Sequence, residues 1–201
     1  MLRELKKERT RRALSAVAIE MFLADGFDQV SVADIAAAAE VSKPTLFRYF
    51  ATKEDLVLHR FADHIGEPAR TVRERDPARS PLSALHHHFQ AGLDRRDPVT
   101  GLCDRPDVLA FHRLVFTTPS LASRLADLET HDVDQLTSAL DGTLMARLVA
   151  TQIVAVLKTL ARENWRGLAD GRTADSLYPE ATVAAAEAFS LLSDGAGSRG
   201  Y

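Results

Sequence analysis

The chain has a single cysteine, Cys103, one tryptophan, and aromatic residues at only 6% of its 201 positions. One cysteine excludes an internal disulfide framework and any four-cysteine zinc site. Few aromatics and many alanines, 31 in all, disfavour a β-rich core and favour helices. No continuous apolar run reaches the roughly 18 residues of a membrane span, and the opening MLRELKKERTRR lacks the apolar core of a signal peptide. The expectation is a soluble, cytoplasmic, all-α protein. At 22.0 kDa the chain is long enough to bury a substantial core without metal or disulfides.

Net charge is also slight, at −3, which taken alone argues against a nucleic-acid binder. Its distribution reverses that inference. Residues 1–12 hold six basic side chains against Glu4 and Glu8, a local charge of +4, whereas residues 61–201 hold 15 basic and 19 acidic ones, a charge of −4. A basic tip is joined to an acidic body.

Apolar spacing over Ala13, Ala16, Val17, Ile19, Met21 and Phe22 predicts a first helix near 3–25. It is closed by Gly26, suited to a left-handed C′ position, with Phe27 packing back. Ser31 with Asp34 reads as a capping box for a second helix whose buried face is Val32, Ile35, Ala36 and Ala39. Ser42 caps a third helix, Lys43 to about Tyr49, with Pro44 in its first turn, where a missing N–H does no harm. Thr52 opens a fourth through Phe61. Only Glu40-Val41 separates the second helix from the cap of the third, the geometry of a helix-turn-helix. Gly66, Pro68, Pro77 and Pro81 then read as a break. Further helices are expected near 82–96, 107–117, 120–140, 143–168 and 179–193.

Lys43 and Lys53 both fall in first helical turns, where the macrodipole disfavours a cation by roughly a few tenths of a kcal/mol. Two such lysines make sense if an anion such as a phosphate supplies the missing charge. In the third helix Leu46 and Phe50, four apart, point inward. Lys43, Pro44, Thr45, Phe47, Arg48 and Tyr49 are left for an outer face whose arginine and threonine suit base edges.

The segment SVADIAAAAEVSKPTLFRYFATKEDL, Ser31 to Leu56, closely resembles the DNA-binding signature of the tetracycline-repressor (TetR) family of bacterial regulators. The matching residues are Ser31, Ile35, Ala36, Ala39, Val41, Ser42, Thr45, Phe47, Tyr49, Phe50, Lys53 and Leu56, and the likeness covers about residues 5–62. It implies a three-helix DNA-binding domain over 1–62, a larger effector-binding and dimerisation domain over 63–194, and a disordered tail over 195–201. It further implies that Tyr49 and Lys53 contact phosphates while Lys43, Thr45 and Arg48 read bases. Ser31, Ser42, Pro44 and Phe47 complete the DNA-binding set. The basic residues Lys6, Lys7 and Arg9 could reach a minor groove or flanking phosphates. Two positions depart from the family: Glu40 stands where glycine is usual, and Phe47 where tyrosine is common.

A helix-turn-helix covers a half-site, so a palindromic double-stranded operator requires a homodimer. Leu148, Val156 and Leu160 in the penultimate helix, with Val183, Ala184 and Phe189 in the last, are the interface candidates. The apolar cluster Leu109, Phe111, Leu114, Val115 and Phe116 marks the middle helices. Of these Phe111, Leu114 and Val115, with Trp165, are the candidate lining of a pocket for a small apolar or acyl-CoA-like effector. The expected function is a ligand-responsive transcriptional regulator, a repressor, using no cofactor and no membrane. A helical enzyme and an effector-free DNA-binding module are the competing readings. The enzyme finds no GxSxG, HExxH or GxxxxGK motif. His86-His87-His88 do not read as a metal site, because consecutive helical side chains point about 100° apart.

Overall fold

The structure, a computed structural model, describes residues 2–195, and among these there are ten α-helices, two 3-10 turns and no strand. In chain order the helices are α1 (Leu2–Asp25), α2 (Val32–Ala38), α3 (Lys43–Tyr49), α4 (Lys53–Leu58), α5 (Glu67–Glu74), α6 (Pro81–Asp94), α7 (Pro106–Thr117), α8 (Pro119–Leu140), α9 (Leu144–Ala169) and α10 (Ala174–Gly195). The chain divides into two compact units. One comprises Met1–Asp63 with Ala110–Ala126, the other His64–Leu109 with Asp127–Tyr201. The first unit thus takes in 110–126 as well as the segment expected to form a DNA-binding domain.

In the first unit α1 buries Leu14, Ser15, Ala18, Ile19 and Phe22, positions four apart along two adjacent rows. The inward face is turned from the one expected, since Ala13 and Ala16 are exposed. Gly26 takes φ +91° and donates its N–H to the Phe22 carbonyl at 3.0 Å. The Phe27 ring then stands 4.8 Å from that of Phe22. The buried Ser15 hydroxyl donates to the Leu56 carbonyl at 2.6 Å, tying α1 to α4.

The second unit is built on α6, α9 and α10, whose Leu85, Phe89, Ile153, Val149, Ala181, Ala185 and Phe189 form one buried cluster. Gly101, at φ +74°, lies so close to α9 that a Cβ would fall 1.8 Å from the Ala161 carbonyl oxygen. The Asn164 amide donates to the Thr100 carbonyl at 2.8 Å and fixes the same approach.

Two elements differ from expectation. The stretch after Gly66 holds α5, because Pro68 sits in its first turn, where no N–H is needed. The last helix begins at Ala174 instead of 179 and accommodates Pro179 internally. Its start is set by Thr173 and Ser176, each backbone N–H bonding the other's hydroxyl at 3.2 Å. Gly195, expected in the tail, closes α10, and 196–201 lie outside the described residues. By length and composition alone α9 could cross a membrane, and 28% of its most apolar stretch is buried.

Candidate nucleic-acid interface

Three side-chain caps build the helix-turn-helix. The Ser31 hydroxyl accepts from the Asp34 N–H at 3.2 Å, and the Asp34 carboxylate accepts from the Ser31 N–H at 2.9 Å. Ser42 caps α3 through the Thr45 N–H at 3.2 Å, with the two hydroxyls 2.7 Å apart. Thr52 and Asp55 repeat the box at the head of α4. Each bond satisfies a helix N-terminal N–H that has no intrahelical partner.

Between α2 and α3 the chain reverses through Glu40 at φ +53°. The Val41 N–H reaches the Ala36 carbonyl at 2.9 Å, and that of Glu40 reaches Ala37 at 3.1 Å. The turn therefore takes the left-handed shape that glycine adopts without strain, although the residue is glutamate.

With Leu46 and Phe50 buried at 1% and 5% exposure, the rotation of α3 is determined. Lys43, Pro44, Phe47 and Arg48 are exposed, and Thr45 and Tyr49 are half-buried. Phe47 is 45% exposed, a large apolar ring in water. Arg3, Lys6, Lys7 and Arg9 are also exposed, but they form the first turns of α1 rather than a free arm.

Lys53 is turned differently. Its ammonium donates to the Phe27 carbonyl and lies 4.2 Å and 5.3 Å from the ring centroids of Phe27 and Phe22. The lysine at this helix N-terminus finds its compensating negative potential inside the protein, from a carbonyl and two ring faces, so no external anion is needed to explain its position.

The other candidates scatter. Phe111 and Val115 are buried and Leu114 half-buried in the first unit, whereas Trp165 lies on α9 in the second. A cavity of about 300 Å³ in the first unit is lined by Glu8, Arg12, Ser15, Ala16, Ile19, His59, Arg60 and Asp63, and by none of those four. Of the interface candidates, Leu148 and Val183 are 50% and 56% exposed. Ala184 is also exposed, while Val156 and Leu160 are half-buried against the core. Phe189 must be withdrawn from the set. It is 4% exposed and stacks on His86, centroids 4.8 Å apart, because it continues the inward row of Ala181 and Ala185. The three histidines of α6 separate as helical geometry requires: His88 meets Glu67 at 3.0 Å, and His87 is exposed.

The sequence model for bacterial regulatory proteins of the tetR family matches residues 14–59, the stretch containing these caps and α3. Residues 14–59 are thus similar to the DNA-binding segment of tetR-family regulators. The chain's 122 residues similar to the transcriptional regulator TcmR of Streptomyces glaucescens are 40% identical and cover 60% of this chain and 54% of TcmR. A 119-residue match to the mycofactocin biosynthesis regulator MftR of Mycobacterium tuberculosis is 44% identical, covering 55% of this chain and 60% of MftR. The chain thus spans somewhat over half the length of the curated relatives it matches. Beyond that stretch the likeness is one of fold. NalD of Pseudomonas aeruginosa, the secondary repressor of the MexAB-OprM efflux pump, superposes with a TM-score of 0.60 at 16% identity over 90% of this chain and 97% of NalD. Relatives of this kind are named as regulators, and the helical-enzyme reading is set aside.

Proposed function

We propose that this chain is a cytoplasmic transcriptional repressor of the TetR family that binds a palindromic double-stranded operator as a homodimer and is released by a small, largely apolar effector. The observation that carries the reading is the outer face of α3. Lys43, Pro44, Phe47 and Arg48 stand in solvent on a helix pinned from behind by Leu46 and Phe50. A short rigid helix presenting a lysine, an arginine and a threonine fits a major groove. Arg48, Thr45 and Lys43 read bases, Tyr49 contacts phosphate, and Phe47 gives an apolar contact to a thymine methyl. The exposed Arg3, Lys6, Lys7 and Arg9 supply further phosphate attraction.

The exposed apolar faces of the last two helices support a dimer. Leu144, Leu148, Val183 and Leu191 are each at least half exposed, apolar side chains that association of two copies would remove from water. An effector, apolar or acyl-CoA-like, then acts by preferring a conformation in which the two recognition helices no longer match successive grooves. Selection of bound sequences from random DNA tests the core of the reading. A two-fold symmetric consensus is expected, and absence of any enriched sequence overturns it.

A further inference from the structure

Within the first unit, the segment of α7 after Ala110 carries one polar group into an otherwise apolar setting. His112 is 5% exposed, between Phe111 and Phe116 at centroid distances of 6.1 and 5.5 Å. Its Nδ1 is fully buried with no hydrogen-bond partner. Phe61 adds a third ring, 5.4 Å from Phe111. Over Phe111 stands the guanidinium of Arg60, 4.8 Å from the ring centroid. Arg60 is thus the link between this cluster and the 300 Å³ cavity, whose other charged lining is Glu8, Arg12 and Asp63 and whose wall includes neither His112 nor the three rings.

A buried imidazole is a costly group to leave unsatisfied. Apolar substitution by leucine would fill similar space without that penalty, so the nitrogen calls for a partner. Burial and the positive charge of Arg60 depress the His112 pKa to about 4, so the ring is neutral near pH 7. It then offers one donor and one acceptor. A nearby cation adds to this. Coulomb attraction favours an anionic oxygen over a neutral one, and more strongly where water is excluded. The surrounding rings favour an apolar body.

We propose that His112, together with Arg60, anchors the effector, and that the effector is an apolar molecule carrying one acidic group. This rests on the effector-responsive reading above and adds the chemical class. The guanidinium supplies opposing charge from the cavity wall, and the neutral imidazole behind it donates its N–H to the acidic oxygen as the effector enters.

The experiment compares two fluorescent probes with the same aromatic body, anilinonaphthalene sulfonate and its uncharged parent N-phenylnaphthylamine, titrated into the full chain. The wild type is expected to prefer the anion by about tenfold or more. His112→Leu and Arg60→Met each reduce that preference to about threefold or less, with affinity for the uncharged probe kept. His112→Gln, which restores a donor, recovers part of it. Thermal melts and operator binding of each variant establish that it is folded, and Arg60→Met is read alone if the histidine variants are not. Equal affinity for both probes in the wild type, or a preference retained in both Leu and Met variants, overturns the anchor. If DNA selection meanwhile yields a palindrome, the regulator reading stands without it. If the preference behaves as expected but no DNA sequence is enriched, the regulator reading falls and the acid-binding site remains.

Discussion

The ammonium of Lys53, at the head of α4, donates to the carbonyl of Phe27, just beyond the end of α1. With the two phenylalanine rings beneath it, this lysine braces the corner from which α2 and α3 project. A hydrogen bond from a charged donor contributes about 1.5–3 kcal/mol and a cation–π contact about 0.5–1. Lys53→Met should therefore destabilise the protein by about 2 kcal/mol, measured by urea unfolding, in addition to weakening DNA binding. A lysine whose whole role is a phosphate contact behaves otherwise: its loss leaves stability unchanged and reduces the salt slope of binding by about one.

Glu40 holds φ +53° in the turn of the helix-turn-helix. A side chain in that region costs about 1–2 kcal/mol relative to its right-handed form, offset in part by the extra chain entropy that glycine loses on folding. Glu40→Gly should stabilise the chain by about 1 kcal/mol and raise its melting temperature by about 2–4 °C. The substitution also removes a negative charge next to the recognition helix, so DNA affinity should rise and not fall. A lower melting temperature means that the glutamate makes a contact worth more than the strain.

How far these features were legible follows from how local their causes are. The bounds of α3 depend on Ser42, Pro44 and the pair Leu46 and Phe50, all within one short window, and they agree with the structure. Glu40 stood out because one position in a tight turn determines its own backbone. The bond from Lys53 to Phe27 was not legible because its partner lies 26 residues earlier, and no periodicity connects a lysine at one helix start with a carbonyl beyond the end of another. Phe189 misled for a related reason: α10 has alanines on several faces, so spacing alone could not tell which row turns inward. Helix α5 was hidden by Pro68, which breaks a helix in its middle and suits it in its first turn. His112 lay inside an apolar run and drew no notice there, since what distinguishes it is burial without a partner.

On the outer face of α3, Arg48→Ala and Tyr49→Ala should separate reading from holding. A bidentate arginine–guanine contact is worth about 1–3 kcal/mol of discrimination, so Arg48→Ala relaxes preference at one or two base pairs in the selected consensus. Tyr49→Ala instead weakens binding to all sequences alike. Because Arg48 is exposed and Tyr49 only half-buried, neither change should alter stability by more than about 1 kcal/mol. An unchanged consensus with Arg48→Ala removes that residue from base readout.

Leu148 offers a direct test of the dimer. It is 50% exposed on the outer face of α9, and burying a leucine contributes about 1.5–3 kcal/mol. A glutamate there places like charges near one another across a two-fold interface. Leu148→Glu should shift sedimentation at micromolar concentration from dimer to monomer and abolish operator binding. The far-ultraviolet circular dichroism of the full chain should change little, since Val149, Ala150 and Ile153, not Leu148, fill the core. A dimer that survives the substitution moves the interface away from this face.

His112 makes a separate prediction for pH. Its pKa falls from 6.5 to about 4 in the folded chain, chiefly through burial and secondarily through the charge of Arg60. A histidine depressed in this way is protonated more readily when unfolded. Its neutral form therefore stabilises the fold fully above pH 6.5, and that stability is lost as pH falls toward 4. At about 1.4 kcal/mol for each unit, the loss between pH 7 and pH 5 comes to about 2 kcal/mol. His112→Leu removes this component alone, so the variant should lose about 2 kcal/mol less than the wild type over the same interval in urea unfolding. Equal losses in the two proteins place the imidazole in contact with water or with a carboxylate, and the anchor for an acidic effector then loses its physical basis.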